Sequence, residues 1–346
     1  MQTQKTGLSI YIAVAALFFL PAISVELLTG DTTLSGYLFP PIFIILNVTY
    51  GGAVLLIRET ALRWGKGIGS MIVMAAGYGM LNEALQTKGF FDPNFYALKD
   101  AGLTGFGRVF GINVPWAMDI SIYHAVFSVM VPLILISVIF PGRKLWLNRI
   151  EYVVLLLALG AVTAYCYVAI ALPPSYYHYD EGPGPIALVL VLMTGLIFLA
   201  WKLPARISYQ SKMRLSAPAL YAIGIAFMLL YAAISWFRVG HTLSPLAFDT
   251  LLAVLFIVVP VALMIMISSP TRIGVVSLCA GLLTPQLLFF GIAAHTPGIL
   301  FAEVVTLVVI GAAFVSARKS SSESTGLFTE SENQSQSLGE SLLPAV

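Results

Sequence analysis

Two short stretches of this chain place proton-holding groups inside otherwise apolar sequence. Tyr78-Gly79-Met80-Leu81-Asn82-Glu83 closes one hydrophobic run, and Ser121, His124 and Ser128 lie in the next. A carboxylate and an imidazole are the usual acid–base partners, and at membrane depth ionisable groups are costly enough to be functional candidates by default. On a helix turning about 100° per residue, Ser121, His124 and Ser128 fall within about 60° of one another. On the preceding helix Ala75, Tyr78, Gly79, Asn82, Glu83 and Gln86 share a face of about 140°, and small Ala75 and Gly79 let a neighbouring helix approach closely. Where these faces meet, Glu83 and His124 stand at compatible depths. The candidate polar site is therefore Tyr78, Asn82, Glu83, Ser121, His124 and Ser128. Glu303 joins it as a further intramembrane carboxylate, about 9 Å into the last apolar run at about 1.5 Å of rise per residue.

The remaining carboxylates have plainer explanations. Asp119 lies about 140° from His124 on its helix. It and Asp249 are each expected in the first turn of a helix that begins after a proline, where negative charge suits the positive end of the dipole. Glu26 is placed to snorkel to the headgroups, and Glu59 to pair with Arg63 one turn on.

The elements that must position these groups are membrane helices. The chain is 59% hydrophobic and 10% charged, against about 25% charged in a soluble domain, so a soluble fold has nowhere to put its apolar surface. Ten runs are expected to span: Leu8–Leu28, Leu38–Ile57, Ile68–Leu85, Trp116–Phe140, Tyr152–Leu172, Pro185–Trp201, Ala217–Phe237, Pro245–Ile267, Ile273–Ala293 and Pro297–Ser316. Lipid-exposed strands with free edges would leave backbone groups unpaired, so each run is expected to be helical. The fold class is an all-α polytopic membrane protein of about ten transmembrane helices, residues 1–318, with a tail over 319–346. The first run is too long for a signal core and lacks a small-x-small cleavage site, so it reads as a retained span.

Lys and Arg set the orientation. One set of loops holds fourteen of them, including Arg58, Arg63, Lys66, Arg143, Lys144 and Arg149; the other holds four, Lys88, Lys99, Arg108 and Arg238. Both termini are therefore expected in the cytoplasm of a cell-membrane protein, with Glu83 and His124 toward the outside. The Ser/Glu-rich tail has little to bury and is expected to be a disordered cytoplasmic extension. Cys166 and Cys279 both sit in apolar runs, which supports neither a disulfide framework nor a zinc site. No basic stripe suits nucleic acid. The partners expected are the lipid bilayer and a small solute or proton, with no cofactor and no metal.

The connection over 86–115 carries five glycines with Phe90, Phe91, Phe95, Tyr96, Phe106 and Phe110, which suits an element in the outer interface or a lid. Asn47-Val48-Thr49-Tyr50-Gly51-Gly52 and Thr284-Pro285-Gln286 mark places where helices weaken or bend, as at solute sites of transporters. Pro115-Trp116-Ala117-Met118-Asp119 and Pro245-Leu246-Ala247-Phe248-Asp249 begin two runs 130 residues apart, with Val-Pro and Pro-x-Arg following in both. A parallel repeat of two four-helix units plus two helices would produce this.

Three functions fit. Transport of a small solute or proton leads, with Glu83 and Glu303 as proton or cation sites. For the second, Asn82-Glu83 ahead of Lys88-Gly89, Glu59-x-x-x-Arg63 and a following His124 loosely resemble the membrane-embedded prenyl-protease and bacteriocin-immunity family. That family's pattern is a Glu-Glu-x-x-x-Arg helix followed by helices with His. Here the double Glu is absent, Lys88 falls one position late, Ile120 stands where the family has Phe, and no second intramembrane His follows. The resemblance implies an intramembrane hydrolase, Glu83 activating water as general base and His124 steadying the oxyanion. The third is a non-catalytic membrane assembly or lipid-interaction protein.

Overall fold

The computed structural model describes residues 7–170, 181–205, 214–239, 242–258, 260, 271–293 and 295–319. Most of them are helical, joined by irregular connections and one two-stranded hairpin. Among the described residues nine helices are long and apolar enough to cross a membrane, which makes this an all-helical, membrane-embedded protein. They are Leu8–Leu27, Pro40–Arg63, Ile68–Gln86, Val114–Ile139, Arg149–Val168, Pro183–Lys202, Ala217–Ser235, Arg272–Ile292 and Pro297–Lys319. The first six are called spans one to six below, then seven, nine and ten. The expected eighth is described over Pro245–Val258; its remainder apart from residue 260, His178, His241 and residues 320–346 lie outside the described residues. Span ten continues past its expected end to Lys319, where Arg318 and Lys319 suit the negative end of the helix dipole.

The core is built by the early spans. In its most apolar window span four is 72% buried, against 6% for span five, so span five stands at the edge facing lipid while span four is enclosed by protein. Both described chain ends lie at one end of the bundle. Ile10 and Tyr11 line a cavity with Leu145, Asn148 and Arg149 there, and the Ser316 hydroxyl donates to the Val138 carbonyl at 2.9 Å.

Spans one to four are interrupted by π-helical turns, at Ile23–Leu27, Val48–Gly52, Leu81–Gln86 and His124–Met130. A π turn inserts one residue into the helical ladder and re-aims the side chains beside it, and such turns recur at functional sites. Glycine permits the close packing around them. A Cβ on Gly51 would overlap the Phe18 carbonyl, and one on Gly79 would lie 2.6 Å from the Ser121 Cα. In both cases the obstacle is backbone. Gly79→Ala must therefore push span three from span four, and is expected to cost about 1–3 kcal/mol as an overpacked contact. Thermal unfolding in detergent measures it, and an unchanged midpoint would show that the helices part freely.

The connection after span three is a folded cap. Phe90, Phe91, Phe95, Leu98 and Leu103 are buried within it or against spans three and four, whereas Phe110 is 83% exposed at the hairpin tip. Phe110 and Gly111 both have positive φ there. Arg108 clamps the hairpin by donating through Nη1 to the Phe91 and Gly111 carbonyls at 2.6 and 2.7 Å. Asn113 then starts span four: its Oδ1 accepts from Trp116 N, its Nδ2 donates to Leu103 O, and its backbone N–H to Phe90 O. Asn113 is thus the N-cap, and Asp119 falls in the second turn of its helix. Ser244 likewise caps the helix of Asp249. The first-turn dipole account of both aspartates is corrected accordingly.

At the opposite end the expected order of ion pairs also changes. Span two runs on to Arg63 and carries Arg58 and Glu59 into full burial. Glu59 pairs with its neighbour Arg58 at 2.5 Å and only loosely with Arg63 at 3.9 Å. Its carboxylate also accepts from the Trp146 and Leu147 backbone N–H groups. Arg58 stacks 3.5 Å over the Trp146 ring and donates to the Lys144 carbonyl. Four interactions thus pin the connection between spans four and five to span two.

Candidate functional site

Each of the first four spans delivers a polar side chain from its π turn, or from the residues beside it, to one interior region. His124 lies at the start of the π turn in span four, and its Nε2 is 3.2 Å from Glu83 Oε1 in the π turn of span three. Its Nδ1 is 2.8 Å from the Ser128 hydroxyl one turn along. All three residues are buried. The hydroxyl can donate or accept, so a neutral imidazole donating to Glu83 receives from Ser128, and an imidazolium donates to both. Either protonation state keeps both bonds. This buried pair can therefore take up or release a proton without orphaning a polar group, which would otherwise cost about 1–3 kcal/mol.

Three tyrosine rings enclose the imidazole: Tyr50, Tyr78 and Tyr123, with centroids 5.8, 6.0 and 6.1 Å from it. Tyr50 connects the pair to a second carboxylate, donating its hydroxyl to Glu26 Oε1 at 2.6 Å. The other Glu26 oxygen accepts from Thr32 at 2.6 Å. Glu26 is turned inward to these partners, so the snorkelling expectation is corrected: a tyrosine on span two supplies the hydrogen bond that headgroup water would have supplied. On the far side the Tyr123 hydroxyl accepts from Gln286 Nε2 of span nine at 3.3 Å. The Tyr78 hydroxyl is buried between the two carboxylate-bearing turns. It has no partner in hydrogen-bond geometry and only a loose approach to Asn82.

Of the seven residues singled out in the sequence, the structure brings Glu83, His124 and Ser128 into one chain of contacts and sets Tyr78 against it. Ser121 lends its backbone to the Gly79 contact, and its buried hydroxyl has no partner. Asn82 is turned toward Gln86, whose amide reaches Thr163 on span five. Glu303 stands elsewhere, its carboxylate packed against Gly291 of span nine. Glu26, Tyr50, Tyr123 and Gln286 were not among the seven. The sequence signals that could have found them are the Tyr-Gly-Gly weakening of span two and the Thr-Pro-Gln of span nine, both of which lie at this site.

The cap closes over Glu83. A Cβ on Gly89 would meet Glu83 Oε2 at 2.8 Å and the Trp116 indole nitrogen at 3.1 Å. The neighbouring Lys88 makes a buried ion pair with Glu181 at 3.1 Å, and Tyr167 donates to the same carboxylate at 2.6 Å. Lys88, expected in an external loop, thus ties the cap to the fifth span and to the start of the sixth. Among the described residues no group of three or more His, Cys, Asp or Glu is placed to hold a metal ion. Set against known protein families, curated proteins and solved structures, the chain matches none. Fold and site define its class only: a helical membrane protein with a largely buried acid–base cluster at the π turns of its first four spans.

Proposed function

We propose that this protein is a ten-helix carrier of the cell membrane, with both termini cytoplasmic, that moves protons alone or together with a small solute. The observation that carries the reading is the Glu26–Tyr50 and Glu83–His124–Ser128 grouping on adjacent π turns, buried except for the half-buried Glu26 and yet able to exchange a proton. The Lys and Arg bias of the loops supports a cluster on the outward side. A parallel four-plus-four repeat is supported by the described part of the eighth helix. Like span four, it has a side-chain cap, a proline in its first turn and a π turn, which begins at Val254 where the earlier one begins at His124. Interrupted helices in corresponding positions of two halves are a feature of carriers.

A second reading draws on one observation. Ser128, His124 and Glu83 are connected in the order of a nucleophile, a base and an orienting acid, as in hydrolase triads. Ser128 is wholly buried, however, and cavities of about 540 and 570 Å³ lie elsewhere, which favours a proton relay. Purified protein in sealed vesicles with an imposed pH gradient separates the two. Carrier activity is expected as dissipation of the gradient faster than in protein-free vesicles, and Tyr50→Phe is expected to slow it by breaking the link to Glu26. Dissipation at the protein-free rate, with labelling of Ser128 by a fluorophosphonate, would replace the carrier by the hydrolase.

A further inference from the structure

A cavity of about 570 Å³ opens at the end of the bundle where the chain ends emerge, far from the acid–base cluster. Its walls are Ile10 and Tyr11 of span one, Arg63 at the end of span two, Trp146 and Asn148 of the connection, and Arg149 at the start of span five. We propose that it binds the phosphate headgroup of an anionic phospholipid.

Its two arginines are in different situations. Arg63 is held in place, donating through Nη2 to the Leu147 and Asn148 carbonyls and lying 4.7 Å over the Tyr152 ring, with a buried Nε–H left unpartnered. Arg149 is exposed, and its guanidinium makes no hydrogen bond or ion pair among the described residues. One guanidinium is thus prepositioned and the other free to close on an anion, and guanidinium forks match phosphate oxygens. The one carboxylate of the lining, Glu151, is engaged by the Asn148 backbone N–H at 2.8 Å. Glu59 nearby is neutralised by Arg58. The surroundings select a lipid over a soluble phosphate. Tyr11, Ile150 and Leu145 beside the cavity are 67, 75 and 42% exposed, a path along which acyl chains leave the headgroup for the bilayer. Basic pockets between membrane helices are recurrent headgroup sites.

The test is thermal unfolding of the purified full chain in detergent, titrated with phosphatidylglycerol, phosphatidylcholine or inorganic phosphate. Phosphatidylglycerol is expected to raise the midpoint well beyond phosphatidylcholine, and Arg149→Gln to weaken that response about fivefold, as one basic residue near an anionic surface does. Lys144→Gln, an exposed cation of the same end that does not line the cavity, is expected to respond like the parent. Arg149 is exposed, so its substitution leaves the fold intact. Equal responses to the two lipids, or an equal loss in both variants, would overturn the site. A midpoint shift reproduced by inorganic phosphate would overturn the lipid assignment. None of these outcomes depends on whether the protein is a carrier.

Discussion

Glu83→Gln is expected, on the carrier reading proposed above, to slow proton flux into vesicles about a hundredfold, the lower end of what a positioned acid–base group contributes. The amide fills the same space and keeps one hydrogen bond to His124, but it holds no proton to pass on. The protein should still fold, losing about 1–3 kcal/mol for the weakened buried contact, so flux and thermal unfolding together separate a lost function from a lost structure. His124→Phe is expected to do the same, because Ser128 and Glu83 then lose their common partner. The double variant is the sharper measurement. Groups that act as one unit lose little more together than singly, with a coupling of about 0.5–3 kcal/mol. Purely additive effects on flux would show that the contact is only glue between two helices.

Arg58→Met should be the most damaging single change outside the cluster. It leaves the wholly buried Glu59 carboxylate with only the loose contact to Arg63 at 3.9 Å, and breaking a buried pair from one side costs about 3–5 kcal/mol. Folded yield and the unfolding midpoint in detergent should both drop. Removing the other partner, by Glu59→Leu, should be equally harmful, since it also frees the Trp146 and Leu147 backbone N–H groups that Glu59 accepts from. Arg58→Met with Glu59→Leu removes both charges and should recover part of the loss. If Arg58→Met alone unfolds like the parent, the pair does not hold the connection between spans four and five in place.

The contact between Glu83 and His124 was legible because both residues lie on helical faces defined by simple periodicity, and because Gly79 marks where two helices touch. The π turns were not legible. An extra residue in the ladder changes which side chains point inward, and wheel arithmetic at a constant angle per residue does not contain it. Tyr50 shows the consequence: the stretch around it reads as a weak place in a helix, and only the fold aims its hydroxyl at Glu26. Glu303 shows the reverse. It has the depth and chemistry expected of a site residue, but span ten sets its carboxylate against Gly291 of span nine.

Lys88 and Arg58 make the same point for charges. A basic residue next to a predicted helix end reads as a loop residue in water, because a sequence does not reveal partners distant along the chain. Glu181 meets Lys88, and the Trp146 ring and Lys144 carbonyl meet Arg58, only once the spans have packed.

By itself, then, the sequence determined the solvent. Long apolar runs with few charges leave hydrocarbon as the only medium that tolerates them, and in hydrocarbon the backbone must close its hydrogen bonds within helices. It also narrowed the search to a few ionisable groups, because each is costly at that depth. Tertiary structure alone decided which of those groups meet. Helix contacts in a membrane are set by side-chain packing and hydrogen bonds between faces, with little hydrophobic drive to favour one pairing over another. The fit of Gly51 on Phe18 and Gly79 on Ser121, and the π turns beside them, bring Glu26, Tyr50, Glu83 and His124 together.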